Sequence, residues 1–149
     1  MSYVDQHLDP DERVVHRARV HWIVYLGPVI LIGAGLVLAI PGMPGISAWG
    51  GVAILVTGLI GVLVAWVRQI SSEFAVTTRR VIVKTGFISR RTIELNMSKV
   101  ESIQVDQGLV ARLLNYGTIT VIGTGGTKEP FSMLEDPLAF RHAVQREQG

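Results

Sequence analysis

Two long apolar runs dominate the pattern of hydrophobic and polar positions along the chain. They occupy residues 22–40 and 49–67, inside a stretch between Arg19 and Arg68 that contains no Asp, Glu, Lys or Arg. A bilayer core about 30 Å thick requires roughly 20 residues of helix. Each run meets that length, and the Pro- and Gly-rich residues 41–45 cannot continue a helix. The pattern therefore predicts an N-terminal transmembrane helical hairpin.

The residues that flank the two runs predict the orientation of this hairpin. The connecting loop is uncharged, whereas arginines stand on both outer flanks: Arg13, Arg17, Arg19, Arg68, Arg79 and Arg80. Because positive residues are retained on the cytoplasmic side, both termini are predicted to be cytoplasmic in a multi-pass protein of the cell (inner) membrane. A cleaved signal peptide is the alternative. Its apolar region is usually about 7–15 residues and follows a basic segment, whereas residues 5–12 here contain several acids.

Small side chains recur every four residues along the second run. They are Ala53, Thr57, Gly61 and Ala65. Such a stripe allows another helix to approach closely. The partner helix is either the first run of the same chain, which offers Gly27, Gly35 and Ala39, or a helix of a second copy or of another subunit.

From Ser71 onward the apolar positions alternate with polar ones, which is typical of half-buried strands. The alternating positions are Phe74, Val76 and Thr78; Val81 and Val83; Ile93, Leu95 and Met97; Ile103 and Val105; and Ile119 and Val121. A last short strand is predicted near residues 130–134. Six or so strands of this kind predict a small, strongly bent antiparallel sheet.

Two helices are predicted to interrupt or close this sheet. Leu109, Val110, Leu113 and Leu114 share one helical face, with Arg112 outside it. At the C-terminus, Asp136 is a good N-cap and Pro137 suits the first helical position. The predicted buried stripe of that second helix consists of Phe140, Ala143 and Val144. The sequence thus predicts an α+β membrane protein with three parts: an N-terminal segment at 1–21, two spans within 22–67 (22–40 and 49–67) and a cytoplasmic domain at 68–149.

Several of these residues, in this order and spacing, resemble the bacterial PH-like (YdbS-type) two-helix membrane proteins. The matching motifs are Asp11-Glu12-Arg13-Val14-Val15, His21-Trp22, Val76 to Ile82, Ile93 to Ile103, Gly108 to Gly117, Gly123 to Gly126, and Asp136-Pro137 with Phe140-Arg141. The resemblance covers nearly the whole chain. It implies a pleckstrin-homology-like split β-barrel on a two-helix anchor, and it implies almost no chemistry, because fold alone does not assign function.

Composition removes most catalytic and metal chemistries from consideration. The chain has no cysteine, and a net charge of +2 does not indicate a nucleic-acid binder. Residues 123–128 are Gly-rich but lack the spacing of a phosphate loop, so a hairpin turn is favoured. The four histidines are scattered, and His21 is interpreted as an interfacial side chain beside Trp22. No paired-carboxylate or serine nucleophile arrangement is evident, so no enzyme activity, metal or cofactor is predicted.

A group of basic residues is the candidate binding site. It consists of Arg79, Arg80, Lys84, Arg90 and Arg91. Near an anionic leaflet each such residue contributes about 1 kcal/mol, although a solvated surface without a specific ligand is the alternative. We interpret the protein as a membrane-anchored, non-enzymatic interaction module that binds a partner protein or anionic lipid head groups at the cytoplasmic face. The alternative is a structural accessory subunit of a larger membrane complex, with self-association or a protein partner along the small-residue stripe.

Overall fold

A computed structural model describes residue 4 and residues 8–40, 48–86 and 91–149. The chain forms two compact units. One consists of Met1–His21 together with Ile70–Gly149, and the other is the helical segment Trp22–Gln69. The sequence predicted residues 1–21 to be a segment separate from the domain that follows the helices. In the structure these residues belong to the same unit, which the helical segment interrupts.

The helical unit contains a 3-10 turn at Trp22–Tyr25, helix α1 at Leu26–Leu38 and helix α2 at Ala48–Ser71. Only α2 is long and apolar enough, by length and composition, to cross a membrane within the described ranges; the segment Trp22–Leu38 is apolar but shorter. The predicted turn at residues 41–45 lies outside the described residues.

The two helices pack antiparallel through close backbone contacts at glycines. A Cβ atom added to Gly35 would lie 2.5 Å from the backbone nitrogen of Leu55, and one added to Gly51 would lie 2.3 Å from that of Ala39. The side chain and backbone of Ile32 approach Gly58 in the same way. Small residues permit this approach because no side chain separates the two backbones.

The first of two antiparallel sheets, sheet A, has the strand order β1-β2-β3-β4. Its strands are β1 (Val14–Ala18), β2 (Glu73–Thr77), β3 (Arg80–Thr85) and β4 (Arg91–Asn96). The helical segment is therefore inserted between two neighbouring strands, since β1 precedes it and β2 follows it. In the register, Ala18 is opposite Phe74, so the chain leaves and re-enters sheet A at the same end. We name this end the insertion end, and the opposite end, where β2 turns into β3, the turn end.

Sheet B has the order β5-β6-β7, with β5 at Val100–Asp106, β6 at Tyr116–Gly123 and β7 at Lys128–Glu135. A short helix, α3 (Leu109–Leu113), connects β5 to β6, and helix α4 (Pro137–Gln148) follows β7. The continuation of β1 joins the two sheets, because Val20 forms a bridge with Leu134. The predicted α+β class and the C-terminal helix are confirmed. Where the sequence predicted one bent sheet of six or so strands, the described residues form seven strands in two sheets.

Apolar side chains on the facing surfaces of the sheets form the core, and α4 covers it. The rings of Phe74 and Phe131 meet edge to face with centroids 5.7 Å apart, and Phe140 of α4 is 1% exposed. The predicted cap of α4 is present, since the Asp136 carboxylate accepts a hydrogen bond from the amide of Ala139 at 3.2 Å. On the outer face of sheet A, Val4 packs in one cluster with Ala75 and Ile82, and Leu8 packs against this cluster.

Candidate interaction surfaces

The structure divides the predicted basic group between the two ends of sheet A. Arg79 and Arg80 lie at the turn end, directly after β2. Lys84 and Arg91 lie at the insertion end, where Lys84 is opposite Glu73 and Arg91 is opposite Thr85. Four strand residues at about 3.3 Å each separate the two ends by roughly 13 Å. Arg90 lies outside the described residues.

Arg80 is held inside an ion-pair cluster. Its Nε donates to Oε1 of Glu12 at 3.0 Å and its Nη2 donates to Oε2 at 2.7 Å, a bidentate pair. Its Nη1 donates to Oε2 of Glu94 on β4 at 2.8 Å. The Glu12 side chain is fully buried and that of Arg80 is 20% exposed. A bidentate, charge-assisted pair of this kind is among the stronger polar contacts in proteins.

Thr77, the last residue of β2, completes this arrangement, which we name the Arg80 cluster (Arg80, Glu12, Thr77 and Glu94). Its hydroxyl donates to Oε1 of Glu12 at 2.5 Å and accepts from the amide of Arg80 at 3.0 Å. The hydrogen bonds from Arg80 and Thr77 lower the pKa of Glu12 from 4.5 to about 2, although burial opposes this shift. The bond to Glu12 likewise raises the pKa of Arg80. The cluster thereby fastens the segment before β1 to the turn end of sheet A.

Arg79 and Arg91 also face carboxylates, but in solvent. Arg79 is 56% exposed and lies 3.7 Å from Asp9 and 4.0 Å from Asp11. Arg91 is 67% exposed, and its Nη2 donates to Oε1 of Glu129 at 3.0 Å. Exposed pairs of this kind contribute little to stability and exchange readily with other ions. The described members of the group therefore form two separate regions that contain acid-paired arginines, and not one continuous positive patch.

The small-residue stripe of α2 is also divided. Gly61 lies in the contact with α1, since a Cβ there would be 3.1 Å from Cγ of Pro28, and Ala65 is buried. Ala53 and Thr57 are exposed, and the Thr57 hydroxyl donates to the Ala53 carbonyl of its own helix at 2.9 Å. The stripe is therefore covered at Gly61 and Ala65 and exposed at Ala53 and Thr57.

His21 occupies a different setting from the one inferred beside Trp22. It is 5% exposed, and its ring stacks on that of Tyr116 with centroids 5.3 Å apart. Among the residues that the structure describes, no group of three or more His, Asp or Glu side chains is placed to hold a metal ion.

An exposed apolar surface is the feature that sequence reasoning did not single out. We name it the apolar tip: Leu109, Val110 and Leu113 of α3, which are 87%, 62% and 85% exposed. Only Ala111 of this helix is buried. The shared face of these residues was visible in the sequence. The sequence did not show that this face is exposed, because the pattern does not indicate whether any other element covers a single turn of helix between two strands.

A comparison with protein families agrees with the fold. Residues 23–148 match the bacterial PH domain family. The chain therefore belongs to that family of PH-like domains, which are generally non-catalytic interaction modules. Comparisons with curated proteins and with solved structures give no match.

Proposed function

We propose that the protein is a membrane-anchored, non-enzymatic interaction module. In this proposal α1 and α2 cross the membrane, and the PH-like unit at the cytoplasmic surface binds a partner protein or anionic lipid head groups. The observation that carries the proposal is the insertion of the helical segment between the paired strands β1 and β2. Strands that share hydrogen bonds must lie on the same side of a membrane. The inserted segment therefore crosses it an even number of times or not at all.

The lengths and surfaces of the helices favour two crossings. Only 17% of the most apolar window of α2 is buried, whereas a core helix of a soluble protein would be mostly covered. The first segment has four residues in a 3-10 turn and 13 in α1. At about 2.0 and 1.5 Å per residue these extend roughly 27 Å, close to a hydrocarbon core of about 30 Å.

The insertion end of sheet A is the region that we assign to lipid head groups. Lys84 lies there on β3, the strand next to β2, and Arg91 lies there on β4, one strand further from the helical segment. Helix α2 ends at Ser71 and β2 begins at Glu73, so this end is tethered by a very short connection. A tethered surface binds at high effective concentration, so weak contacts suffice. Arg80 is excluded from this role because its donors are committed to Glu12 and Glu94.

Cysteine labelling in whole cells tests the anchoring, because the chain contains no cysteine of its own. Single-cysteine variants Ala48→Cys, at the start of α2, and Gly149→Cys, at the C-terminus, are treated with a membrane-impermeant maleimide. We expect Ala48→Cys to react in intact cells and Gly149→Cys to react only after lysis. Equal reactivity of the two variants in intact cells, or recovery of the chain in the soluble fraction, would contradict the proposal.

A second function, as an accessory subunit of a larger complex, is favoured by the exposure of Ala53 and Thr57 on α2. Replacing both with Leu would then release a copurifying protein, whereas Val56→Leu, a similar change at an exposed residue outside the stripe, would not. Crosslinking with mass spectrometry on intact membranes identifies the partner. Absence of any copurifying protein or self-association in mild detergent would refute this function.

A further inference from the structure

The apolar tip is a rigid feature and not a loose loop. The side-chain amide of Gln107, before α3, donates to the carbonyl of Tyr116, after it, at 2.8 Å. Gly117 is packed so tightly that a Cβ there would lie 2.7 Å from Cγ of Gln107. The two ends of the connection are therefore fastened together. The three apolar side chains remain exposed, and the contacts that hold the two ends of the connection together do not involve them.

The apolar tip lies close to the point where the chain passes into the helical segment. His21, the last residue before that segment, stacks on Tyr116, which follows the end of α3 by three residues. A second connection runs through the backbone. The carbonyl of Arg19 accepts from the amide of Glu135 at 2.9 Å, and the amide of Asp136 donates to the carbonyl of Asn115 at 3.0 Å. Both contacts join the exit of the chain to the region that carries α3.

The apolar tip carries a cation within its own helix. Between Asp106 and Glu129 the chain has no acidic residue, and Arg112 lies within α3 itself. A short helix with leucines on one side and a cation beside them is the arrangement found where a segment lies in the interface of a membrane. The cation interacts with head groups while the leucines enter the acyl boundary.

Size distinguishes lipid from protein as the occupant. A stable protein interface covers about 800 Å² of each partner, far more than three side chains of one helical turn provide. Insertion into lipid has no such minimum, because each fully buried Leu or Val contributes about 1.5–3 kcal/mol and the anchor keeps the bilayer close.

We propose that Leu109, Val110 and Leu113 insert into the cytoplasmic interface of the membrane and hold the PH-like unit against it. This rests on the proposed function, since it requires that the helical segment anchors the chain. It assigns the lipid contact to an apolar insertion at α3, in addition to the electrostatic contact of the basic residues at the insertion end.

Depth-dependent quenching of a fluorophore tests the insertion in the full chain. Single-cysteine variants Leu109→Cys and Leu113→Cys are labelled with the polarity-sensitive dye NBD and reconstituted in vesicles of phosphatidylethanolamine and phosphatidylglycerol. Glu101→Cys, at an exposed position on β5, the strand before α3, is the matched control. Leu63→Cys, at an exposed position on α2, reports whether the helical segment is in the membrane. We expect a blue-shifted emission and a loss of fluorescence with spin-labelled lipids at Leu109, Leu113 and Leu63, and neither effect at Glu101.

The outcomes separate the two proposals. Quenching at Leu63 without quenching at Leu109 and Leu113 would overturn the insertion and leave the anchoring intact. A blue shift at Leu109 and Leu113 without lipid quenching would also overturn it, because the tip would then be covered by protein. Absence of quenching at Leu63 would refute the anchoring and the insertion together. Fluorescence changes that are equal at Glu101 and at the tip would show nonspecific adsorption and would likewise overturn the insertion.

Discussion

At the turn end of sheet A and in helix α3, the exposure of the side chains is the opposite of what their residue types suggest. Arg80 is a charged residue from the predicted surface group, yet its side chain is 20% exposed and is fastened to a buried carboxylate. Leu109 and Leu113 form an apolar helical face, which is typical of a buried surface, yet they are 87% and 85% exposed. The difference shows that the position of a residue in the fold, and not its polarity, decides whether it stabilises the domain or faces a partner.

The largest effect is expected from breaking the Arg80 cluster. Glu12→Gln removes the charge that neutralises Arg80 and weakens the bond to Thr77, so we expect it to destabilise the PH-like unit by about 3 kcal/mol, because one partner of a buried pair is lost. Hydrogen–deuterium exchange of β2 and β3 in the detergent-solubilised chain measures this. Arg79→Gln, which removes only exposed pairs, is the control and should change stability by less than about 1 kcal/mol. Equal protection in both variants would contradict the structural role assigned to Arg80.

Acid should weaken the same cluster in the wild-type chain. Because the pKa of Glu12 is about 2 in the fold and 4.5 ordinarily, its stabilisation is complete above pH 4.5 and is lost as the pH falls toward 2. The unfolded chain takes up the proton first, so about 2 kcal/mol should be lost at pH 3. The measurement is the urea midpoint as a function of pH. Glu12→Gln should show a flatter profile over this interval, and an identical profile would exclude Glu12 as the cause.

In the helical unit, glycines that look alike in the sequence differ in how closely other atoms approach them. A Cβ at Gly51 would meet the backbone of Leu38 and Ala39, whereas nothing lies within 4 Å of one at Gly33. We therefore expect Gly51→Ala to destabilise the helix pair by about 1–2 kcal/mol, as overpacking does. Gly33→Ala should be neutral or stabilising, since Ala favours a helix. Unfolding of the pair in detergent is followed by tryptophan fluorescence, and a larger loss for Gly33→Ala would contradict the packing described.

The smallest effect is expected at the apolar tip. Leu109→Ser and Leu113→Ser should change the stability of the detergent-solubilised chain by no more than about 0.5 kcal/mol, because these side chains are exposed. Ile119→Ala, at a residue that is 0% exposed, is the contrasting variant and should cost about 2–5 kcal/mol. Urea denaturation measures all three. A loss at the tip comparable to that of Ile119→Ala would show that the leucines belong to the core.

Local patterns in the sequence predicted much of the fold. Alternation identified β4, where Ile93 and Leu95 face inward, and the Asp136-Pro137 pair located the start of α4. Strand β1 was missed because Val14 and Val15 are adjacent apolar residues followed by His16 and Arg17, which is not an alternating pattern. The position of β1 is set by its pairing with β2, far along the chain. It is also set by the bridge from Val20 to Leu134, through which the chain after β1 joins sheet B.

The candidate site was less predictable for the same reason. Nothing near Arg80 in the sequence indicates Glu12, which is 68 positions away. The acidic partner of Arg91 is 38 positions away. Which arginine is neutralised depends on register between distant strands, and a one-dimensional pattern does not contain that information. The same limit applies to the leucines of α3, whose exposure depends on what the rest of the fold leaves uncovered.

The interrupted PH-like unit has a consequence for how the protein is made. A ribosome releases β1 first, then the entire helical segment Trp22–Gln69, and only afterwards the strand with which β1 pairs. In the proposed topology, sheet A therefore closes only after both helices have entered the membrane. A chain that inserts only one of the two helices leaves Ala18 and Phe74 on opposite sides of the membrane, so they cannot pair. Completion of the sheet thus excludes a chain with a single crossing, and such a chain retains an unpaired strand that proteases can recognise.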